Sequence, residues 1–135
     1  MDSLILPRSL CDELLEQARR ALPVECCGLL GGEKNEISRI FPATNELASP
    51  TAFEIPPPEL FGIFRQLRAE KLDLIGLYHS HPSGENTPSA RDLERAYYPG
   101  AAYVILSPHQ DAAEPIRAFS LAAGEVRELT VEIVD

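Results

Sequence analysis

The stretch GLYHSHPSGENTPSARD, residues 76–92, carries the polar side chains around which the chain is organised. It begins within the apolar run LIGLY, which is typical of a central strand covered on both faces. Since strand residues two apart point to the same side, His79 and His81 are expected to converge while Ser80 faces away. The strand thus delivers two imidazoles to its carboxyl end, a common position for ligand sites in α/β sheets.

A helix is predicted to follow the loop after the two histidines. Thr87 is expected to be its N-cap and Pro88 its first residue, and the helix extends to about Tyr97. Ser89 and Asp92 then lie three residues apart on one helical face. Two imidazoles and the Asp92 carboxylate are the three protein ligands that a catalytic zinc needs, with a fourth position left for water.

Composition restricts the function classes that are open to the chain. Its 135 residues predict one domain, residues 1–135, and a content of 44% hydrophobic residues is sufficient for a core. The net charge of −9 argues against nucleic acid and against an anionic membrane surface, because binding to either depends on Lys and Arg. No stretch approaches the roughly 20 apolar residues of a membrane-spanning helix, and the N-terminus shows no signal peptide. Three cysteines, two of them adjacent, are a poor disulfide framework, so a reduced cytoplasmic location is expected.

Hydrophobic periodicity predicts a mixed α/β domain of the α+β type, with about three helices packed on one mixed, mostly antiparallel sheet. Helices are predicted at residues 7–22, 58–71 and 88–97. Strands are predicted at residues 4–6, 24–32, 36–41, 74–78, 101–106, 115–121 and 125–134, the first of them as a sheet edge. Residues 52–55 are expected to be a short extended piece between loops.

Taken together, the polar residues resemble the signature of the JAMM (MPN-plus) metalloproteases, H-[ST]-H-x(7)-S-x(2)-D. The HSH at residues 79–81, seven residues, Ser89, two residues and Asp92 match it without insertion. Upstream, PVECCGLLG at residues 23–31 resembles the family segment P-x-E-x-C-G-L-L-x-G, which carries a catalytic glutamate. The likeness extends to Asn45 and covers most of the chain, which implies a single JAMM/MPN-like domain.

The resemblance implies a zinc-dependent peptidase and assigns roles to five residues. His79, His81 and one carboxylate oxygen of Asp92 would hold one zinc ion per chain and leave a position for water. Zinc lowers the pKa of that water and polarises the amide carbonyl. Glu25 is implied as general base and then general acid, and Ser89 as the hydrogen-bond donor to the oxyanion.

Some of these assignments have alternatives within the sequence. Spacing alone does not place Glu25 near the metal, and Glu54 and Glu85 would be rival bases without the family pattern. Ser89 can also be no more than a residue of the first helical turn. The third histidine, His109, lies in a turn and is expected at the surface.

The adjacent cysteines are not expected to act together as zinc thiolates. Neighbours on a strand point to opposite faces of the sheet, so Cys26 and Cys27 do not converge. Cys27 is expected to be a small core residue, whereas Cys26, which follows Glu25, is a candidate to line the site.

The spacing after Asp92 favours one branch of the family. The next predicted strand begins about nine residues later, so the second insertion with which ubiquitin-specific relatives grip their substrate is absent. The compact form resembles prokaryotic JAMM proteins that act on a ubiquitin-like or sulfur-carrier protein with a C-terminal Gly-Gly. These release cysteine, a peptide or a conjugated amine, and the tail is expected to add as a strand to a sheet edge.

Two other functions stay open from the sequence. One is a deubiquitinase-like isopeptidase that acts on lysine-linked ubiquitin-like conjugates. The other is a non-catalytic MPN scaffold, although such relatives typically lack a ligand or the glutamate, and this chain has all of them. A nucleoside deaminase would need H-x-E and P-C-x-x-C, which are absent. The sequence does not determine the oligomeric state.

Overall fold

A computed structural model describes all of residues 1–135. Seven strands and three helices follow one another along the chain, with a 3₁₀ turn at Ala122–Gly124 before the last strand. They are β1 (Ser3–Pro7), α1 (Arg8–Ala21), β2 (Cys27–Glu33), β3 (Glu36–Ala43), α2 (Pro57–Ala69), β4 (Asp73–Ser80), α3 (Ala90–Glu94), β5 (Ala102–Leu106), β6 (Ile116–Ser120) and β7 (Arg127–Val134). None of the helices combines the length and the apolar character that crossing a membrane requires.

The strands form one closed sheet in the order β1-β3-β2-β4-β5-β6-β7. Strand β4 pairs antiparallel with β2 and parallel with β5, so it lies inside the sheet as its apolar run predicts. The mixture of parallel and antiparallel pairs confirms the predicted fold class. The prediction of β1 as an edge is wrong, because β1 pairs in parallel with both β3 and β7.

Apolar residues pack on both faces of the sheet, because successive strand residues point to opposite sides. In β2, Leu30 joins the cluster that packs against Leu14 and Ala18 of α1. Its neighbour Leu29 joins the other cluster, which α2 covers. The central strands are therefore buried on both sides, and their polar ends are held in fixed positions.

Glycine is required where β2 passes close to its neighbours. A Cβ atom at Gly28 would lie 2.5 Å from the carbonyl oxygen of Phe41 and would overlap the hydroxyl of Tyr78. Real Cβ atoms do not approach other atoms so closely, and a backbone carbonyl cannot turn away as a side chain can. The sheet around the strand that carries the histidines therefore depends on this small residue.

Helix α3 is shorter than predicted and begins later. Its N-cap is Ser89 in place of Thr87, because Ser89 and Asp92 form a capping box. The helix ends at Glu94, well before Tyr97. Beyond it, the backbone N–H of Tyr98 donates a 3.0 Å hydrogen bond to a side-chain hydroxyl of β5, which directs the chain back to the sheet.

Candidate metal centre

Three predicted ligands converge at the carboxyl end of β4. The Nε2 atoms of His79 and His81 lie 3.1 Å apart, and they lie 3.1 and 3.2 Å from the two carboxylate oxygens of Asp92. A tetrahedral zinc ion with ligands at about 2.0–2.2 Å separates its ligand atoms by about 3.3 Å. The donor atoms of this group therefore fit a metal ion of that kind.

Neighbouring groups fix the orientation of both imidazoles. The Nδ1 atom of His81 lies 2.8 Å from the carbonyl oxygen of Glu85. Because a carbonyl only accepts, Nδ1 carries the proton and Nε2 keeps its lone pair for a metal. The ring of His79 stacks on Phe53, with ring centroids 4.8 Å apart. Both rings thus present Nε2 toward Asp92.

The capping box of α3 orients the third ligand. The backbone N–H of Ser89 donates to Oδ2 of Asp92 at 2.9 Å, and Oγ of Ser89 accepts from the backbone N–H of Asp92 at 3.1 Å. Ser89 thus caps the first turn of α3, which agrees with the alternative that Ser89 is a structural residue of the helix start. Its hydroxyl proton is not used by this cap, so the same residue can still donate a hydrogen bond.

Burial and mutual contact set the charge of the three groups. Burial opposes ionisation of Asp92, but its close contacts with His79 and His81 outweigh it and hold the pKa of this carboxyl far below its usual range. Burial lowers the pKa of His79, which favours the neutral ring that metal ligation requires. For His81, burial acts in the same direction, but contacts with Asp92 and the Glu85 carbonyl raise its pKa.

Glu25 lies beside this group. It is 5% exposed and shares a pocket with His79 and Asp92. Burial raises the pKa of its carboxyl to about 7. The backbone around it is held by a 2.9 Å bond from its N–H to the carbonyl of Ser49 and by a 3.1 Å bond from Asn45 Nδ2 to its carbonyl.

The rival glutamates do not reach the pocket. Glu54 and Glu85 are both exposed, and neither lines the pocket that contains Glu25. The contribution of Glu85 to the site is its backbone carbonyl, which accepts from His81. Glu25 is therefore the glutamate that the fold brings to the candidate ligands.

A comparison with known protein families covers the residues of this site. A family model described as prokaryotic homologs of the JAB domain matches residues 7–122. The chain belongs to this JAB-domain family. The resemblance to JAMM proteins is thereby confirmed, and the matched segment includes both the glutamate of the upstream motif and the ligands of β4 and α3.

Named relatives of this JAB-family chain are hydrolases. It is 35% identical over 129 residues to a desampylase of Haloferax volcanii, with 90% of each chain covered. It is 30% identical over 135 residues to the CysO-cysteine peptidase of Mycobacterium tuberculosis, with 98% of this chain and 92% of the relative covered. The prediction of an enzyme of the hydrolase class is confirmed by these relatives.

The fold is also that of a JAB protein. A JAB1/MPN domain protein of Archaeoglobus fulgidus has a TM-score of 0.65 at 24% identity, with 100% of both chains covered. The similarity confirms the predicted architecture, including a mixed sheet with helices on its faces.

Ser80 has a role in this JAB fold that sequence reasoning missed. Its Oγ accepts a 2.9 Å hydrogen bond from the backbone N–H of Cys26, and its own N–H donates to the Cys26 carbonyl at 3.1 Å. Ser80 is fully buried and faces away from the histidines, as predicted. The sequence did contain a signal of this role: the family signature requires a serine or threonine, and thus a hydroxyl, between the two histidines.

The two cysteines differ from the prediction in one respect. Cys26 does not line the pocket but packs into the apolar cluster on the α1 side of the sheet. Cys27 is fully buried, as predicted, and lies opposite His79 in the register of β2 and β4, on the same face. Burial raises the pKa of the Cys27 thiol to about 12, so it stays protonated and is a poor metal ligand.

Two polar residues anchor the loop after β4. Asn86 is buried, and its Nδ2 donates to the backbone carbonyls of Ile105 and Glu114 at 3.3 and 2.8 Å. His109 is exposed, as predicted, and its Nε2 lies 2.9 Å from the carbonyl oxygen of Pro82. Both contacts join distant segments, and an asparagine or histidine in a loop gives no sequence signal of such contacts.

Two arginines of α3 and its C-cap complete the pocket. The lining consists of Glu25, Thr51, Ala52, Phe53, His79, Arg91, Asp92, Arg95 and Tyr103. Its accessible interior is about 20 Å³, which is the space that one water molecule needs. In the sequence, Arg91 and Arg95 look like ordinary charged residues on the solvent-exposed face of a helix. Their position at the pocket was therefore not predicted.

Proposed function

We propose that this chain is a zinc metallopeptidase that hydrolyses the amide bond after the C-terminal Gly-Gly of a ubiquitin-like or sulfur-carrier protein. The observation that carries the proposal is the buried Glu25 in one pocket with the convergent group of His79, His81 and Asp92. The CysO-cysteine peptidase and the desampylase support the choice of reaction class.

His79, His81 and Asp92 would hold one zinc ion per chain, in a single catalytic domain. The bound ion supplies a water of near-neutral pKa and a Lewis acid for the amide carbonyl. The protein contributes the donor geometry, with ligand atoms 3.1 to 3.2 Å apart, and the hydrogen bonds that fix His81 and Asp92.

Glu25 would transfer the proton in this reaction. Its ionised carboxylate accepts a proton from the attacking water, whose oxygen bonds to the amide carbon. As the C–N bond breaks, the protonated Glu25 returns the proton to the leaving nitrogen, and the products are an amine and a carboxylic acid, which then loses the remaining proton of the water. A pKa of about 7 suits both halves of this exchange near neutral pH.

Ser89 would stabilise the negative charge that develops on the carbonyl oxygen. Because its Oγ accepts from the Asp92 N–H within the cap, its hydroxyl proton is free to point toward the substrate. A donor held in advance by a helix cap needs little reorganisation during the reaction, which is the condition for effective oxyanion stabilisation.

The narrow pocket and the closed sheet restrict how the tail can bind. A site with about 20 Å³ of accessible space favours a tail of glycines, since only glycine lets an extended backbone approach so closely. Most strands of the closed sheet are paired on both sides, but β1 pairs with β3 only at Glu36, so the rest of β3 keeps an unpaired edge for the expected strand addition. We place the tail beside residues 51–55, where Phe53 lies on His79.

The test is direct cleavage of defined carrier fusions by the zinc-loaded protein. Sulfur-carrier fusions extended past Gly-Gly by cysteine, by a peptide or through a lysine isopeptide are incubated with the wild type and with Glu25→Gln. Mass spectrometry identifies the bond that is cut. Cleavage after Gly-Gly by the wild type alone is expected. Cleavage of only the lysine conjugate would assign the isopeptidase alternative, and cleavage of none would favour the scaffold.

A further inference from the structure

Arg91 and Arg95 are cations without an ion-pair partner at the pocket of Glu25. Five other arginines of the chain make salt bridges with carboxylates, namely Arg8, Arg20, Arg39, Arg117 and Arg127. Arg19, Arg65 and Arg68 make none either, so the lack of a salt bridge does not by itself distinguish Arg91 and Arg95. Both instead line the pocket that contains Glu25 and His79.

Arg91 also has an unused hydrogen-bond donor. Its Nε is the one buried side-chain nitrogen or oxygen of the chain without a hydrogen-bond partner. A buried donor left unpaired destabilises the protein, and more so when the group is charged. The free protein thus keeps a costly unpaired donor beside its candidate catalytic residues, and a ligand with an acceptor at this place would remove that cost.

The two guanidinium groups belong to one face of the short helix. The backbone N–H of Arg95 donates to the carbonyl of Arg91 at 3.0 Å, so the two residues are one helical turn apart. The charge of Arg91 acts on Glu25, the residue that returns a proton to the leaving nitrogen in the proposed function. With Glu25 in that role, Arg91 lies near the leaving nitrogen, and Arg95 lines the same pocket.

We propose that Arg91 and Arg95 form a subsite for the α-carboxylate of the leaving group, so that the preferred substrate carries one amino acid after its Gly-Gly. This inference rests on the proposed function and specifies its substrate. Guanidinium groups bind carboxylates with paired hydrogen bonds, which suits them to this anion better than to a neutral amide.

The position of the carboxylate distinguishes the leaving groups. In a single C-terminal amino acid, the carboxylate is attached to the same carbon as the nitrogen that leaves. In a longer peptide that position holds a neutral amide. In a lysine isopeptide, the leaving nitrogen is at the end of a four-carbon side chain, away from the main-chain carboxyl group. Only the first kind of leaving group would bring an anion to the arginines.

The experiment uses two carrier substrates that differ only in this group, carrier-Gly-Gly-Ala with a free carboxylate and the same fusion with a terminal carboxamide. kcat/KM is measured for zinc-loaded wild type, Arg91→Gln and Arg95→Gln. Arg19→Gln is the matched control, because Arg19 is an exposed arginine of α1 without an ion pair. Thermal unfolding of each variant confirms that it is folded.

We expect the wild type to prefer the free acid by about 10- to 100-fold, the range that charge-assisted hydrogen bonds provide. The ratio of the two values should fall toward one in Arg91→Gln and in Arg95→Gln, mainly through KM, and should persist in Arg19→Gln. A wild-type ratio near one would overturn the subsite. An unchanged ratio with both rates reduced would also overturn it, because the arginines would then act on the shared part of the substrate.

A binding measurement separates this inference from the proposed function. Calorimetry of the zinc-loaded Glu25→Gln protein with both fusions measures affinity in the absence of turnover. Tighter binding of the free acid without any cleavage by the wild type would support the subsite and contradict the peptidase. Equal affinity for acid and amide would overturn the subsite, whether or not the wild type cleaves.

Discussion

The backbone N–H of Cys26 donates a 2.9 Å hydrogen bond to Oγ of Ser80, and the N–H of Ser80 donates a 3.1 Å bond to the carbonyl of Cys26. These two bonds join the residue after Glu25 to the residue between His79 and His81. Both residues are buried, so no solvent molecule competes for the contact. These bonds extend the β2–β4 ladder, in which Cys27 pairs with His79, and so help to fix the distance between the candidate base and the candidate ligands.

Replacing Ser80 should therefore affect catalysis without removing the metal. Ser80→Ala leaves the buried N–H of Cys26 without its acceptor, which should lower the free energy of unfolding by about 1–3 kcal/mol. We expect zinc content to stay stoichiometric while kcat falls, because Glu25 loses its fixed position. Ser80→Thr keeps the hydroxyl and should restore most of the rate. A wild-type kcat in Ser80→Ala would contradict the positioning role.

Metal binding should depend on the three convergent groups and on no other histidine. Protein purified without chelator is expected to contain one zinc ion per chain by elemental analysis. His79→Ala and Asp92→Ala should lose it, because two remaining ligands do not complete the site. His109→Ala is the control and should keep it, since His109 is exposed and is not in the ligand group. Retention of zinc by Asp92→Ala would place the third ligand elsewhere.

Ser89 should show two separable contributions, one from its cap and one from its hydroxyl proton. Ser89→Ala removes both and should lower stability by about 1 kcal/mol. Its kcat should fall by about 10²-fold while zinc is retained, as for a lost oxyanion donor. Ser89→Asp keeps a cap acceptor but has no proton to donate, so it should recover stability but not the rate. Equal rates in wild type and Ser89→Ala would limit Ser89 to the cap.

Glu25 should make the metal-free protein less stable as the pH rises. Burial raises its pKa from 4.5 to about 7 in the folded state, so the folded protein holds this proton more tightly than the unfolded chain. The stability that this group contributes is complete below about pH 4.5 and is lost as the pH rises through about 7.

Metal-free Glu25→Gln should therefore unfold at higher denaturant concentration than metal-free wild type at pH 8. The difference in free energy should be at most about 3 kcal/mol and should shrink toward zero at about pH 5. Glu54→Gln is the control, since that side chain is exposed, and it should show no such difference. A difference that does not change with pH would show that the Glu25 carboxyl is not the cause.

Gly28 should not tolerate a methyl group, whereas Gly100 should. In Gly28→Ala the new atom meets the Phe41 carbonyl and the Tyr78 hydroxyl, and overpacking of this kind costs about 1–3 kcal/mol or more. A Cβ at Gly100 meets no atom within 4 Å. Chemical denaturation of both variants measures the contrast, and similar stabilities would mean that β2 can move away from its neighbours.

Local sequence patterns predict most of the elements because each pattern reflects the burial of one segment. The run before His79 indicates a strand covered on both faces, and β4 is such a strand. The spacing of the signature also predicts that His79, His81 and Asp92 come together, and the structure brings their donor atoms within 4.8 Å of one another.

Other features depend on partners that lie far away in the sequence. Alternation along the strand predicted at residues 24–32 separates Cys26 from Cys27 but does not say which side of the sheet faces the pocket. Strand β1 pairs with β3 and β7, which are distant in the sequence. Hydrophobic periodicity reports which residues of a segment are buried but not which segments pair. Arg95 is the C-cap of α3, and the sequence predicts an exposed charge there; only the tertiary structure brings this residue to the pocket.

The parallel pairing of β1 with β7 has a consequence for how the chain acquires its structure. Ser3 pairs with Thr130 and Pro7 with Val134, so the two strands are separated by nearly the whole sequence. During synthesis β1 leaves the ribosome first but lacks this neighbour until β7 is complete. Glu25, His79 and Asp92 all lie between the two strands in the sequence, so the segments that carry them are complete before β7 is made. Closure of such a distant pair is slow, since the loop entropy is lost before the contact is gained.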